Sequence, residues 1–467
     1  MHHSYENALE LLDARRRKAR PKAPIETTES QAAATPSGKK TTRGVPSLVG
    51  MDEWLRALGH SELDVDRLNI IHIAGTKGKG STCAFTSCLL RSHGLRTGFP
   101  KSVGLYTSPD LQCIRERIQI DNQPITEALF TQYFFEIWEA LLYAEVERQP
   151  RYLQLLALLA FHTFIREGVD AAVFETHHGG EYDATNVIRR PIATGITSLG
   201  MDHVEQLGPT LEDIAWHKAG IFKAGTPAFS VTQERNVVEI LRSRAAEKKT
   251  DLMFVSMNSS LPVNDRVLGV PVQRLNCSLA LELARSFVHS KTPDHILESK
   301  DISSGVESFS WIGRFEVILD GTIRWFLDGA HNTLSLTQAA EWFSSYSSAT
   351  QKYERDGVAL VECLARSLSK HNARPDYVIF TTYQEREDGS TRIDKTLKVP
   401  EIPFPDFCTI YSSLWVELEP KAAVSTEPNI EGAIRFAKQL GAQRDGMEVL
   451  VTGSLHLVGG ALTFLRP

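Results

Sequence analysis

One short stretch constrains the fold of this chain more than any other: Leu68-Asn-Ile-Ile-His-Ile-Ala74, followed at once by Gly75-Thr-Lys-Gly-Lys-Gly-Ser-Thr82. The first part is short, apolar and β-branched, as a buried strand is. Gly75, Gly78 and Gly80 then let the backbone curl so that several N–H groups converge on one anion. Cys83 to His93 reads as a helix stopped by Gly94, and its amino end adds positive potential to the same point. Strand, glycine loop and helix in this order predict a phosphate cradle at the edge of a parallel sheet. The common P-loop reads G-x-x-x-x-G-K-[ST], with its first glycine six residues before the lysine. Here that position is Ile73, and Gly75 lies only four residues before Lys79. The candidate nucleotide-binding set is Gly75, Thr76, Lys77, Gly78, Lys79, Gly80, Ser81 and Thr82. Lys79 can neutralise phosphate charge, and the hydroxyl of either Ser81 or Thr82 can ligate Mg²⁺.

The rest of the chain continues the theme. Tyr152 to Glu167 reads as a strongly apolar helix stopped by Gly168, and Val169 to Glu175 as a strand ending on a carboxylate. Pro191 to Ser198 reads as a further strand, with Asp202-His203 just beyond it. This alternation predicts an α/β fold with a mainly parallel sheet covered by helices on both faces. Ligands of such sheets bind beyond the carboxyl ends of the strands, so Glu175 and His203 join the glycine loop as candidates. Upstream, residues 1–20 read as an amphipathic helix with Tyr5, Ala8, Leu11 and Leu12 on one face. Residues 21–47 lack the large apolar residues that offset ordering entropy and read as a flexible insertion. Met51 to Gly59 reads as a helix with a glycine cap. The pattern pauses at Leu297 to Gly305, then resumes with strands near 323–327, 376–381 and 448–452. A central domain over 48–300 and a smaller C-terminal Rossmann-like α/β domain over 306–467 are expected.

Composition excludes several classes. The 467 residues carry a net charge of −6, which gives no general attraction to nucleic acid or anionic membrane. The longest apolar run, Leu153 to Phe161, is too short to span a bilayer. Six cysteines at 83, 88, 113, 277, 363 and 408 form no C-x-x-C pair, so neither a zinc site nor a disulfide framework is read. The first twenty residues lack the uncharged apolar core of a secretory signal, and Glu6, Glu10 and Asp13 speak against a transit peptide. A cytoplasmic monomer is the expectation.

With these residues in place, the chain resembles the folylpolyglutamate synthase family within the Mur ligase superfamily. Gly75 to Ser81 is similar to the shortened P-loop of that superfamily. Tyr106-Thr-Ser-Pro-Asp-Leu111, Arg115-Glu-Arg-Ile118, Gly179 to Asn186, Gly195 to His203 and Ile214 to Lys223 resemble the family's motifs in order. So do Trp311-Ile-Gly-Arg314, Leu327 to Asn332 and Gly453 to Gly459, and the likeness covers nearly all of the chain after residue 47.

The resemblance implies an N-terminal P-loop ATPase domain and an ATP- and Mg²⁺-dependent amide ligase. Its partners would be a small-molecule carboxylic acid, a folate or another acid, and an amino acid, L-glutamate above all; no nucleic acid or membrane is involved. Lys79 would hold the terminal phosphates, and Ser81 and Glu175 the first Mg²⁺. His203 would ligate a second metal, together with Lys218 if that lysine is carbamylated. Arg314 would contact phosphate, Asp328 and His331 would line the nucleotide, and Asn276 would meet its base. His456 reads equally as a hydrogen-bonded core histidine or a catalytic one. Ser108, Asp110, Arg115, His177 and His178 fall on the acyl-substrate side.

Some positions depart from the family pattern. Asp110 stands where histidine is usual, and Thr176-His177-His178 where valine and small or apolar residues are. Asn332 replaces threonine, and Ile312 replaces proline. Asp110 would repel an anionic acceptor unless Arg115 or Arg117 pairs with it. Three readings stay open here: a ligase adding glutamate to tetrahydrofolate, a related ligase acting on a non-folate acid in secondary metabolism, and a nucleotide-binding protein without catalysis. The retained Lys79, Ser81, Glu175, His203, Lys218, Arg314 and Asp328 argue against the third.

Overall fold

A computed structural model of the chain describes residues 2–16, 36–37, 46–144, 146–330, 333–345, 357–391, 406–444 and 446–466. Most of the expected insertion at 21–47, together with His331 and Asn332, lies outside the described residues. The chain forms two compact units, Met1–Asp110 with Arg115–Ser310, and Leu111–Ile114 with Trp311–Pro467.

The first unit opens with helices α1 (Tyr5–Ala14), α2 (Met51–Ala57) and α3 (Glu62–Arg67), then strand β1 (Ile70–Ala74) and helix α4 (Lys79–Thr97). Strands β2 (Val103–Tyr106), β3 (Ile118–Ile120) and β4 (Gln123–Pro124) precede helices α5 (Glu127–Tyr143) and α6 (Tyr152–Arg166). Strand β5 (Ala171–Glu175), strand β6 (Ala193–Ile196), helices α7 (Val204–Leu207) and α8 (Leu211–Lys218), strand β7 (Ala228–Val231), helix α9 (Arg235–Lys248) and strand β8 (Leu252–Val255) follow. Helices α10 (Asp265–Leu268), α11 (Pro271–Lys291) and α12 (Ser299–Glu307) complete the unit. The eight strands form one sheet in the order β4-β3-β2-β5-β1-β6-β7-β8. It is parallel from β2 to β8, and only β3 and β4 run antiparallel. Strands β1 and β5 are buried at every position, which suits a parallel sheet covered on both faces.

Register positions the site. Ile73 pairs with Glu175 and Ala74 with Ile196, so β5, β1 and β6 end level with one another. Tyr106 pairs with Phe174, which brings the residue after β2, Thr107, beside Glu175.

Three local expectations are corrected. Helix α4 does not stop at Gly94; it runs on to Thr97 and is capped by Gly98 at φ +89°. Gly94 serves packing instead, since a Cβ there would lie 1.9 Å from the Pro100 carbonyl oxygen. In α1 the buried residues are Tyr5, Ala8, Leu9 and Leu12, so Leu9 rather than Leu11 completes the i, i+3, i+4, i+7 stripe. The pause read at Leu297 to Gly305 holds helix α12. Gly305 brings that helix close to α4, where a Cβ would meet Leu89 at 2.9 Å, and Asp301 binds Arg96 through both carboxylate oxygens, at 2.7 and 2.6 Å.

The second unit contains strands β9 (Glu316–Asp320) and β10 (Ile323–Leu327), helices α13 (Thr333–Ser345) and α14 (Gly357–Lys370), and strand β11 (Tyr377–Thr381). Helix α15 (Asp406–Leu418), strand β12 (Ala423–Glu427), helix α16 (Ile430–Gln443), strand β13 (Met447–Val451) and helix α17 (Leu455–Leu465) follow. Its strands pair as β13-β10-β9, with β10 and β13 parallel, and as a parallel β11-β12 pair. Trp325, Leu327, Ile430, Val458 and Ala461 belong to its core. No helix among the described residues is long and apolar enough to cross a membrane.

Candidate active site

The glycine loop lies where β1 ends. Gly75 has φ +150°, and a Cβ there would stand 1.8 Å from Thr197 Oγ1. Gly78 has φ +85°, and a Cβ there would stand 2.3 Å from Asn276 Oδ1. Both positions therefore require glycine for conformation and for space. The amides of Thr76 and Lys77 donate to Ser198 O at 3.0 and 3.1 Å and fasten the loop to the end of β6. The first backbone bond of α4 runs from Thr82 N to Gly78 O at 2.8 Å. The amides of Lys79, Gly80 and Ser81 precede it, so they are the donors the loop keeps for an anion.

Charge gathers at the same place. Lys79 Nζ lies 3.6 Å from Glu175 Oε1. Glu175 Oε2 accepts from Thr107 Oγ1 and, at 3.1 Å, from Ser108 N, so the carboxylate is held in a fixed orientation. Neither the Ser81 nor the Thr82 hydroxyl has a hydrogen-bond partner among the described residues, but Ser81 keeps 7% exposure whereas Thr82 is fully buried. That separates two hydroxyls the sequence leaves equivalent. Lys218, buried at the end of α8, donates from Nζ to Gly75 O at 2.6 Å. Burial, reinforced by the charge of Lys79, lowers its pKa to about 7. Asp202 lies 3.7 Å from Lys77 Nζ and 3.6 Å from His203 Nε2, and His203 starts α7 at φ +51°. The ring of His178 meets that of His203 edge-on, at 4.5 Å between centroids.

The neighbouring region pairs most of its polar groups internally, with the buried Arg117 Nη1 and Thr176 Oγ1 lacking a hydrogen-bond partner among the described residues. His177 Nε2 lies 2.5 Å from the Tyr106 hydroxyl, and its Nδ1 lies 3.5 Å from Asp183 Oδ1. Asp183 also accepts from the amides of His177, His178 and Thr185, at 3.0, 2.9 and 3.0 Å, and from Thr185 Oγ1 at 2.7 Å. Burial alone would raise the Asp183 pKa, but His177 and these donors outweigh it and hold the carboxyl well below the ordinary range. Asp110 finds its partner in Arg117, whose Nε donates to Oδ1 at 2.5 Å. Arg115 turns elsewhere, to Ile125 O at 3.0 Å and the Tyr5 hydroxyl at 3.2 Å. Asn276 is buried, holds Gln273 at 3.2 Å and faces Gly78.

In the second unit, Asp328 is a fastening group. It accepts from Phe315 N and Ala330 N, each at 3.0 Å, and so ties the turn carrying Arg314 to the end of β10. Arg314 Nη1 donates to Gly313 O at 3.2 Å. His456 lies in the first turn of α17, half-buried, with its ring 6.0 Å from that of Tyr383. Sequence reasoning missed Thr107, Thr197 and Asp183. The first two occupy the residue after a strand end, which is a usable signal once the pairing of β2 with β5 and of β6 with β1 is known.

Comparison with known proteins bears on this arrangement. The Mur ligase middle domain matches residues 73–268. A folylpolyglutamate synthase of Neurospora crassa is 38% identical over 459 residues, covering 90% of this chain and 85% of that one. The chain belongs to the folylpolyglutamate synthase family. It is accordingly an ATP-dependent ligase, as the resemblance of its motifs implied. The fold agrees. A Mycobacterium tuberculosis folylpolyglutamate synthase complexed with ADP and AMPPCP superposes with a TM-score of 0.72 at 23% identity, covering 90% of this chain and 96% of that one. A solved folylpolyglutamate synthase complex with AMPPCP and folate gives 0.67 at 21% identity, covering 99% of this chain and all of that one, 100%.

Proposed function

We propose that this chain activates the γ-carboxyl of a reduced folate with ATP and joins it to the amine of L-glutamate. The observation that supports this most is the meeting of an anion cradle with oxygen donors at one sheet edge: Lys79 and the first-turn amides of α4 beside Glu175 and the open hydroxyl of Ser81. A carboxylate is a poor electrophile, so activation comes first. The γ-phosphoryl group moves to a carboxylate oxygen, giving an acyl phosphate and ADP. The glutamate amine then attacks the acyl carbon, loses a proton, and phosphate leaves. Two anions must approach in the first step, so cations aimed at the moving phosphoryl group carry most of the catalysis. Lys79 supplies one. Arg314, a planar donor suited to bidentate contact, is assigned to phosphate by the family resemblance.

The residues present fit the implied ligands. Gly75 and Gly78 let the loop close against Thr197 and Asn276, which leaves the first-turn amides of α4 for phosphate oxygens. Asn276, Asp328 and His331 are assigned to the nucleotide. Ser81 and Glu175 are hard oxygen donors, which suit Mg²⁺. Bound there, the ion would screen the terminal phosphates. His203 is assigned to a second ion with Lys218. A neutral Lys218 Nζ adds to CO₂, forms an N–C bond and releases one proton, which turns an uncharged amine into an anionic oxygen donor.

On the acceptor side, Ser108, Arg115 and His178 are the groups assigned to the acyl substrate. Asp110 does not oppose an anionic folate, because Arg117 meets its charge, and His177 supports Tyr106 rather than a ligand. A non-folate carboxylic acid is the second reading, favoured by the Thr176-His177-His178 run beside Glu175. The chain is assigned to the cytoplasm as a monomer, with its cysteines free and all but Cys113 buried. The deciding experiment is phosphate release from ATP with Mg²⁺ and L-glutamate, screened over tetrahydrofolate and other carboxylic acids. Release with tetrahydrofolate supports the first reading and release only with another acid the second. Release with none defeats the ligase assignment.

A further inference from the structure

A cavity of about 200 Å³ lies apart from the glycine loop, lined by α2, α3 and the segment Val187 to Arg189. Helix α3 leads into the amino end of β1, and Val187 to Arg189 leads into the amino end of β6. The cavity therefore sits at the amino-terminal edge of the sheet, whereas the glycine loop follows the carboxyl end of β1. Its walls include the buried Leu55, Val65 and Val187.

A polar side chain also lines it. His60 is 8% exposed and lines the cavity. Its Nε2 lies 2.8 Å from His162 Nδ1, and His162 Nε2 lies 2.9 Å from Glu136 Oε2. A carboxylate only accepts, so His162 carries its proton on Nε2 and accepts at Nδ1. His60 must then donate from Nε2, which leaves its Nδ1 as a bare acceptor. That nitrogen has no partner among the described residues. Burial and the neighbouring His162 lower the His60 pKa to about 4, so the ring is neutral near pH 7.

We propose that this cavity is a second small-molecule site, taking a single-ring aromatic compound with one O–H or N–H donor aimed at His60 Nδ1. Size supports one ring: an apolar cavity of about 150 Å³ in another protein accepts benzene. Charge argues against an anion. Arg189 is already bound by Asp52 at 3.1 Å and Glu62 at 2.7 Å, Asp66 lies 3.7 Å from Arg190, and the lining carries three carboxylates, Asp52, Glu62 and Asp66, against the two guanidinium groups of Arg56 and Arg189.

The test uses the full chain and two probes of one shape, 3-fluorophenol and its methyl ether 3-fluoroanisole, followed by fluorine NMR titration. The phenol should bind saturably, and about tenfold more tightly than the ether, the value of one hydrogen bond to a buried acceptor. In His60→Leu the two probes should bind alike. ATP added to the wild-type chain should leave the phenol bound. Absence of saturable binding, equal affinities in the wild-type chain, a preference that survives His60→Leu, or displacement by ATP would each overturn the site. The wild-type ratio and the ATP competition decide the matter even if His60→Leu fails to fold.

Discussion

Two regions flank Glu175, and they treat their polar groups in opposite ways. On the α4 side, Lys79 lies 3.6 Å from Glu175, the amides of Lys79, Gly80 and Ser81 precede the first backbone bond of the helix, and the Ser81 hydroxyl has no hydrogen-bond partner among the described residues. On the β2 side, Tyr106, His177, Asp183 and Thr185 close on one another, and Asp110 closes on Arg117. Buried donors without acceptors cost folding free energy, so an arrangement that keeps several of them points to a ligand. The β2 side shows the other outcome. Asp110 and His177, unusual residues there, find protein partners in Arg117 and Tyr106, and their contribution is to hold the scaffold.

That contrast can be broken most sharply at Lys79. Lys79→Ala should lower turnover about a thousandfold, roughly 4 kcal/mol of transition-state stabilisation, with the fold intact by circular dichroism. Near wild-type phosphate release at saturating ATP would end the assignment of the α4 side.

Asp183→Ala tests the opposite region and should act on stability. It strands four donors, so a loss of about 3 kcal/mol and several degrees in melting temperature is expected. Its pH dependence has a defined sign. The folded-state pKa is depressed, so the stabilisation is complete above the unfolded value near 4 and is lost as pH falls through the lower folded value. The acid limb of the melting curve should therefore flatten in the variant, and an unchanged melting temperature would contradict the closed network.

Glu175→Gln stands between the regions. Turnover should fall about a hundredfold at low Mg²⁺ and recover in part as Mg²⁺ rises, since one ligand charge is lost while the site persists. An unchanged Mg²⁺ dependence would remove Glu175 from the metal site. The smallest effect is expected for Tyr106→Phe, about 1 kcal/mol of stability with kcat unchanged. A large drop in kcat there would show that the β2 side joins the chemistry after all.

How much of this was legible beforehand follows from where each signal resides. Gly75 and Gly78 could be read because an anion loop needs glycine in the chain itself. Glu175 could be read because it ends an apolar run. Thr107 could not, since its place beside Glu175 depends on β2 pairing with β5, which no local pattern states. Gly94 was misread for the same reason: glycine near a helix end signals a stop, and only the approach of Pro100 reveals its other use. Leu9 and Leu11 offer equal hydrophobicity, and the neighbours of α1 choose between them. The pairing of Asp110 could be narrowed to two arginines, but the choice of Arg117 required the structure. Thr82 and Ser81 are adjacent hydroxyls in sequence, and only the winding of α4 turns one inward.

The fixed orientation of Glu175 has a consequence for ion choice. Oε2 accepts from Thr107 and Ser108, whereas Oε1 faces Lys79 Nζ at 3.6 Å and accepts no hydrogen bond from a neighbouring amide or hydroxyl among the described residues. Held in this way, Glu175 would offer a bound ion one oxygen more readily than two, which suits a small cation such as Mg²⁺ better than calcium. If Glu175 holds Mg²⁺, as proposed, the Thr107 hydroxyl would bias that contact toward one oxygen without touching the ion.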